Sequence, residues 1–271
     1  KGLQEAKERP DNHYSLVLKA SESGLVPQED LDEIKARIGE NAYEQEMECC
    51  FDVPRAGAIY SKETNLARDE GRIADFGADN SLLTYTSWDL GSPENTVCVY
   101  FQRDPSNLSY RVIDCDFGLN MTTGERVAHM LDKGYNYAQH ILPHDGRTRG
   151  ADNLSFQNKL LEAGLKNVIV LPNAGAMAEE RRIRGMKDLF GSIFFSTKVD
   201  VEDGLIDALD NYHHREDKKE GRVTNVVVHD WCSHFADAFG YFGEALKNNL
   251  VIGNMTPKAL GRAKASFGRS L

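Results

Sequence analysis

Leu83-Thr84-Tyr85-Thr86-Ser87-Trp88-Asp89-Leu90-Gly91 is the stretch on which the reading of this chain turns. A run rich in β-forming side chains ends on an aspartate, and a glycine follows closely. A carboxylate at the end of an apolar strand is costly unless something uses it. Downstream, Thr96 to Gln102 and Tyr110 to Asp116 have the same β-forming texture. Asp104-Pro105-Ser106-Asn107 between them is a turn by composition. The spacing predicts three strands in an antiparallel meander.

Beyond the meander, helical and extended patterns alternate. Gly124 to Lys133 has helical spacing through Val127 and Leu131. His140-Ile-Leu-Pro-His144-Asp145 is a short buried strand that ends in polar residues. A helix over Asn153 to Ala163 is closed by Gly164. Then come a strand at Asn167 to Leu171, a helix at Ala176 to Phe190 and a strand at Ile193 to Ser196. A helix at Val201 to His213, a β-branched strand at Val223 to Val228 and a last long helix containing Asp237 to Leu246 complete the pattern. Three antiparallel strands followed by alternating helix and strand predict an α/β, RNase H-like fold: a mixed central sheet flanked by helices.

Upstream the texture differs. Pro27-Gln28-Glu29-Asp30 opens a helix through Leu31, Ile34 and Ile38, a short helix is expected over Ala42 to Glu48, and Phe51 to Glu70 reads as extended loop. Residues 1–80 are therefore expected to be a connector, and residues 81–271 the globular domain.

Composition bounds the function. The 271 residues are 41% hydrophobic and 27% charged, as in ordinary globular proteins. No apolar run approaches the roughly 18 residues that span a bilayer, and the polar start is no signal peptide. Cys49, Cys50, Cys98, Cys115 and Cys232 are odd in number and scattered, which predicts reduced thiols in a cytosolic compartment. None forms a C-x-x-C pair, which argues against structural zinc. A net charge of −10 argues against a broad nucleic-acid-binding surface, but not against a carboxylate site that cations fill. The chain starts at Lys1 rather than Met and contains no phosphate-binding Gly-x-x-x-x-Gly-Lys-Ser/Thr loop, so it reads as part of a longer protein.

Three acids stand where chemistry is expected: Asp89 at a strand end, Asp145 after Leu142-Pro-His, and Asp237 in His234-Phe-Ala-Asp-Ala-Phe. Any one of them alone is more often a cap or a surface residue. Carboxylates converging from separate elements repel one another, and hard divalent cations remove that penalty because they prefer oxygen. Two such ions roughly 4 Å apart can activate water and stabilise a leaving oxygen.

The motifs, taken in order, resemble the large terminase subunits of viral DNA packaging. Tyr43-Glu-Gln-Glu-Met-Glu-Cys-Cys-Phe-Asp52 and Gly57-Ala-Ile-Tyr60 look like the end of that family's ATPase domain and its linker. Thr86 to Gly91 is similar to its first nuclease strand, and Tyr110 to Asp114 to its third. Leu142 to Asp145 resembles the second acidic motif. Val201 to Leu205 and Leu209 to Tyr212 resemble a later helix, and Ser233 to Tyr241 the third acidic motif.

The resemblance implies two Mg²⁺ or Mn²⁺ ions, bridged by Asp89 and held singly by Asp145 and Asp237, with His234 as a further metal neighbour. Three residues before Asp237, His234 shares its helix face. Asp230 is the rival third acid. Asp114 and Asp116 would support the ligands or face solvent, and His144 would support rather than ligate. Arg147, Arg149, Arg181, Arg182, Arg184 and Lys187 would track phosphates or form a solvated face, with Asp188 offsetting part of the charge. The implied activity is cleavage of concatemeric double-stranded viral DNA in the host cytoplasm, with a small terminase subunit and portal protein as partners and no membrane. Residues 1–80 would be linker and ATPase-domain end, and residues 81–271 the nuclease. The competing readings are another RNase H-like nuclease, such as a resolvase or hybrid nuclease, and a non-catalytic docking domain.

Overall fold

The computed structural model describes residues 16–39, 43–44, 46–49, 57–106, 108–150, 152–173, 175, 177–217 and 222–252. Contacts divide the chain into two compact units, Lys1–Ala58 with His213–Asn225, and Ile59–Tyr212 with Val226–Leu271. The boundary expected from the sequence lies at residue 80.

The first unit carries helices α1 (Ala20–Ser23) and α2 (Gln28–Ile38). Leu31 is buried, as the helical spacing predicts. The helix expected over 42–48 falls partly outside the described residues. The strand expected at 223–228 forms as β9 (Arg222–Val227), but it pairs only with a strand the sequence reading missed, β8 (His214–Asp217), in a separate two-stranded sheet. Val223 is exposed there, so this strand's apolar pattern does not mark the central sheet.

The second unit is built on a seven-stranded sheet. In chain order its elements are α3 (Ser61–Asp69), β1 (Ile73–Ala74), β2 (Thr84–Asp89), β3 (Val97–Asp104), β4 (Ser109–Asp116), α4 (Thr123–Asp132), β5 (Tyr137–Leu142), α5 (Phe156–Glu162), β6 (Val168–Val170), α6 (Ala178–Phe190), β7 (Ile193–Ser196), α7 (Leu205–Asn211) and α8 (Trp231–Lys247). The sheet order is β1-β7-β4-β3-β2-β5-β6. β3 is antiparallel to β2 and β4, whereas β2–β5, β5–β6, β4–β7 and β1–β7 are parallel pairs. The run β4-β3-β2-β5-β6 is the RNase H-like arrangement, and the predicted fold class holds. Every strand except β3 points the same way, so β2, β4, β5, β6 and β7 end on one carboxyl edge.

Both sheet faces are covered, which is why the strands read as nearly continuous β-forming runs. On one face Tyr85, Phe101, Val112, Ile141 and Phe195 pack against the layer of α8 and its neighbours. The rings of Phe101 and Phe242 stack there at 4.0 Å. On the other face Trp88, Tyr100, Ile113 and Leu142 meet Val127 and Met130 of α4 and Leu160 of α5. Truncating one of these buried aromatics, such as Phe242→Ala, would cost about 3–5 kcal/mol.

Two local features differ from expectation. The stretch read as extended loop up to Glu70 contains α3; residues 51–56 of it lie outside the described residues. The buried positions of α3 are Ser61, Thr64 and Ala67, small side chains that leave no apolar period to detect. In β4 the register shifts: Phe101 faces Val112, but Tyr100 faces Asp114. Ile113 is thus an extra residue, a bulge that turns Asp114 and Asp116 toward α4.

Candidate active site

β2 delivers Asp89 to the carboxyl edge. Along the strand, Trp88 enters the α4–α5 core while Tyr85 faces α8. Alternation then turns Asp89 toward α8. Register with β5 is supported from the other face, where Trp88 Nε1 donates to Thr86 Oγ1 at 2.8 Å and Thr86 Oγ1 lies 2.7 Å from His140 Nδ1. Burial lowers the His140 pKa to about 4, so its ring is neutral and Nδ1 can accept from the threonine.

α8 brings the other groups. Its cap is Asp230, whose side chain accepts from the Cys232 backbone N–H at 3.0 Å. The rival acid therefore serves as a helix N-cap. His234, Asp237 and Tyr241 follow at spacings of three and four and share one face. His234 Nδ1 lies 2.9 Å from Asp89 Oδ2, with Asp89 only 14% exposed. Burial raises the Asp89 pKa; the His234 hydrogen bond opposes the shift, and the charges of Asp237 and Asp145 add to it. The Asp89 hydrogen bond raises the pKa of His234 against the pull of desolvation.

Asp145 follows β5 in a short turn, His144–Arg147. The turn packs tightly onto the strand end because Gly146 has no side chain: a Cβ there would lie 2.9 Å from Leu142 Cβ. Asp145 itself is exposed, as are His144, Arg147 and Arg149.

Asp237 has a partner that the sequence reading placed elsewhere. Arg182 of α6 donates through Nη2 to Asp237 Oδ1, with the two side chains 10% and 17% exposed. The guanidinium also lies over the Tyr241 ring, 4.5 Å from its centroid. This approach depends on Gly240, where a Cβ would stand 2.7 Å from Arg182 Cγ. Arg182 is therefore no exposed phosphate-tracking residue. Its helix neighbours Arg184 and Lys187 pair with Glu180 and Glu63, each at 3.5 Å. Burial raises the Tyr241 pKa, so its hydroxyl keeps its proton.

The structure thus joins Asp89 to His234, with Asp237 and Asp145 near enough to act on Asp89 through their charges. Among the described residues, no three His, Cys, Asp or Glu side chains stand close enough together to hold one ion. The three aspartates offer oxygen donors of the kind a hard divalent cation takes, and His234 adds a nitrogen beside Asp89. Asp114 and Asp116 belong to neither expected role. They lie on the opposite sheet face, where Lys133 Nζ reaches Asp114 Oδ2 and Asp116 Oδ1 at 2.9 Å each. Tyr135 donates to Asp114 at 2.8 Å, and the Tyr100 hydroxyl donates to Asp116.

No protein-family model matches the sequence, and no curated protein does. Solved structures do. The large terminase of a thermophilic bacteriophage, in complex with ADP, is similar with a TM-score of 0.51 at 16% identity, over 89% of this chain and 57% of that one. The large terminase nuclease domain of bacteriophage SPP1 with bound Mn gives 0.47 at 17% identity, over 63% of this chain and 87% of that one. The P22 large terminase nuclease domain gives 0.49 at 16% identity, over 66% and 89%. The chain spans 57–58% of the length of the thermophilic phage's terminase chains. Over the matched span its fold is similar to that part of a large terminase.

Proposed function

We propose that the chain is the cutting module of a viral DNA-packaging terminase, an endonuclease that hydrolyses phosphodiester bonds in concatemeric double-stranded DNA with Mg²⁺ or Mn²⁺. The observation that carries this reading is the contact of Asp89 with His234 at the carboxyl edge of an RNase H-like sheet, with Asp237 on the same helix face as His234 and near enough to act on Asp89 through its charge. Asp145 follows the neighbouring strand, β5, in a turn at the same edge.

Asp89, Asp145 and Asp237 would hold two divalent ions, which, when bound, supply water activation and charge stabilisation at the leaving oxygen. The protein's own groups do the rest. His234 orients Asp89 through Oδ2. Arg182 fixes one oxygen of Asp237, and Tyr241 supports the guanidinium. Arg147 and Arg149, exposed just after Asp145, are placed to meet phosphates without reading sequence. No helix among the described residues is long and apolar enough to cross a membrane. In this reading the module works in the host cytoplasm beside a small terminase subunit and the portal protein. Residues 1–80 would be its linker and ATPase-domain end, of which Ile59 onward packs with the sheet unit, and residues 81–271 would cut.

The test is cleavage of plasmid DNA with Mg²⁺ or Mn²⁺ and with EDTA. Asp89→Asn and Asp237→Asn should each abolish metal-dependent cutting. If both variants cut as well as the parent, the reading fails. Faster cleavage of four-way junctions or RNA–DNA hybrids than of duplex would move the chain to another RNase H-like class.

A further inference from the structure

His234 also borders a cavity of about 350 Å³, within the roughly 300–1,000 Å³ range of small-molecule sites. Three aromatic side chains line it: Trp231, Phe235 and Phe117. Phe235 meets Trp231 edge to face at 5.8 Å and Phe117 at 5.0 Å, so the walls brace one another. Trp231 is 41% exposed although it is large and apolar. Glu94 and Asp203 add carboxylates to the lining, and both residues are exposed. Asp203 holds a left-handed φ of 56°, uncommon for a residue other than glycine, and its backbone N–H donates to Asp207 Oδ2 at 3.0 Å.

We propose that this cavity takes an unpaired nucleobase bearing an exocyclic amino group, from the strand whose phosphate lies at the carboxylates. Aromatic walls stack any planar heterocycle. Carboxylates accept hydrogen bonds from the amino groups of cytosine and adenine, which thymine lacks. Neither lysine nor arginine is among the described residues that line it, and two acids are, so a phosphate is disfavoured and a base is not. Because His234 lines the cavity and also bonds Asp89, the base would be a near neighbour of the scissile phosphate. Stacking there would offset part of the cost of unpairing the duplex at the cut. The inference rests on the nuclease reading for the source of the base, though not for the cavity's chemistry.

The chain has two tryptophans, and Trp88 is fully buried, so quenching by an added ligand reports on Trp231. Deoxyadenosine, deoxycytidine and thymidine, which carry no phosphate, are titrated into the protein in EDTA. Saturable quenching by the first two, several-fold weaker for thymidine, is expected. Trp231→Phe, followed by calorimetry, should keep binding, Trp231→Ala should lose it, and Glu94→Gln with Asp203→Asn should narrow the discrimination. Absence of saturable quenching by any nucleoside overturns the proposal, as does binding that survives in a folded Trp231→Ala protein. Equal affinity for thymidine overturns the amino-group selectivity. A chain that binds nucleosides but cuts nothing defeats the nuclease reading instead, so the two failures are distinguishable.

Discussion

Arg182 on α6 holds Oδ1 of Asp237 on α8, and no other side chain among the described residues bonds that carboxylate. A positive charge beside a candidate ligand stabilises the carboxylate and at the same time repels an incoming cation. Arg182→Met should therefore move two readouts in opposite directions. In EDTA, thermal or urea denaturation should show a loss of about 3–5 kcal/mol, the usual result of stranding one member of a buried ion pair. Calorimetric titration with Mn²⁺ should show tighter binding, with Arg182→Lys close to the parent. Weaker Mn²⁺ binding in the methionine variant would mean that the arginine positions Asp237 more than it opposes the ion.

Removing His234 leaves Asp89 without its orienting partner. Groups that hold a ligating carboxylate in place typically contribute 10–100-fold to metal affinity or rate. His234→Ala should reduce Mn²⁺-dependent cleavage by about that factor, and an unchanged rate would remove His234 from the site.

The network on the opposite face should behave differently, because it is structural. The Lys133 and Tyr135 hydrogen bonds hold the Asp114 pKa below its ordinary value despite burial. A depressed carboxylate contributes stability above its unfolded pKa of 3.8, and that contribution is lost as pH falls through the lower folded value. Lys133→Met should destabilise the protein by about 3–5 kcal/mol at neutral pH. The deficit should shrink below about pH 4 as the stranded carboxylates protonate. A deficit independent of pH would point to lost packing rather than lost charge.

Two glycines inside helices should respond with opposite signs. At Gly185 of α6 an added Cβ meets nothing within 4 Å, so Gly185→Ala should stabilise by about 0.8–1.0 kcal/mol through helix propensity alone. At Gly240 the same propensity gain competes with a contact 2.7 Å from Arg182 Cγ and 2.9 Å from Cδ. Overpacking costs about 1–3 kcal/mol and should win, so Gly240→Ala should lower the melting temperature.

Much of this arrangement was legible in the sequence, for identifiable reasons. β2, β3 and β4 lie in both cores, and their composition alone marks them as strands. His234 and Asp237 share a helix face because spacing of three dictates it. Asp230 could be weighed only as a rival acid, since a cap is defined by where the helix starts. Arg182 looked like one of several basic residues on α6. What singles it out is Gly240 on another helix, a tertiary fact without a local signal. Asp114 and Asp116 were misread because a one-residue bulge at Ile113 decides which face they occupy.

The glycines that let α6 lie against α8 also limit how the chain can change. Gly240 admits Arg182, and Gly243 admits Met186, whose sulfur stands 2.2 Å from where a Cβ would be. These contacts fix the rotation of α6 about its own axis. Inserting or deleting one residue between Arg182 and Met186 would swing the guanidinium about 100° around the helix relative to Met186, so the two contacts could not both be kept. The same change at Leu171–Asn173, which lie between β6 and α6 and outside both, would leave the register of α6 intact. Length variation among chains that keep this ion pair is accordingly expected in the loop and not in the helix.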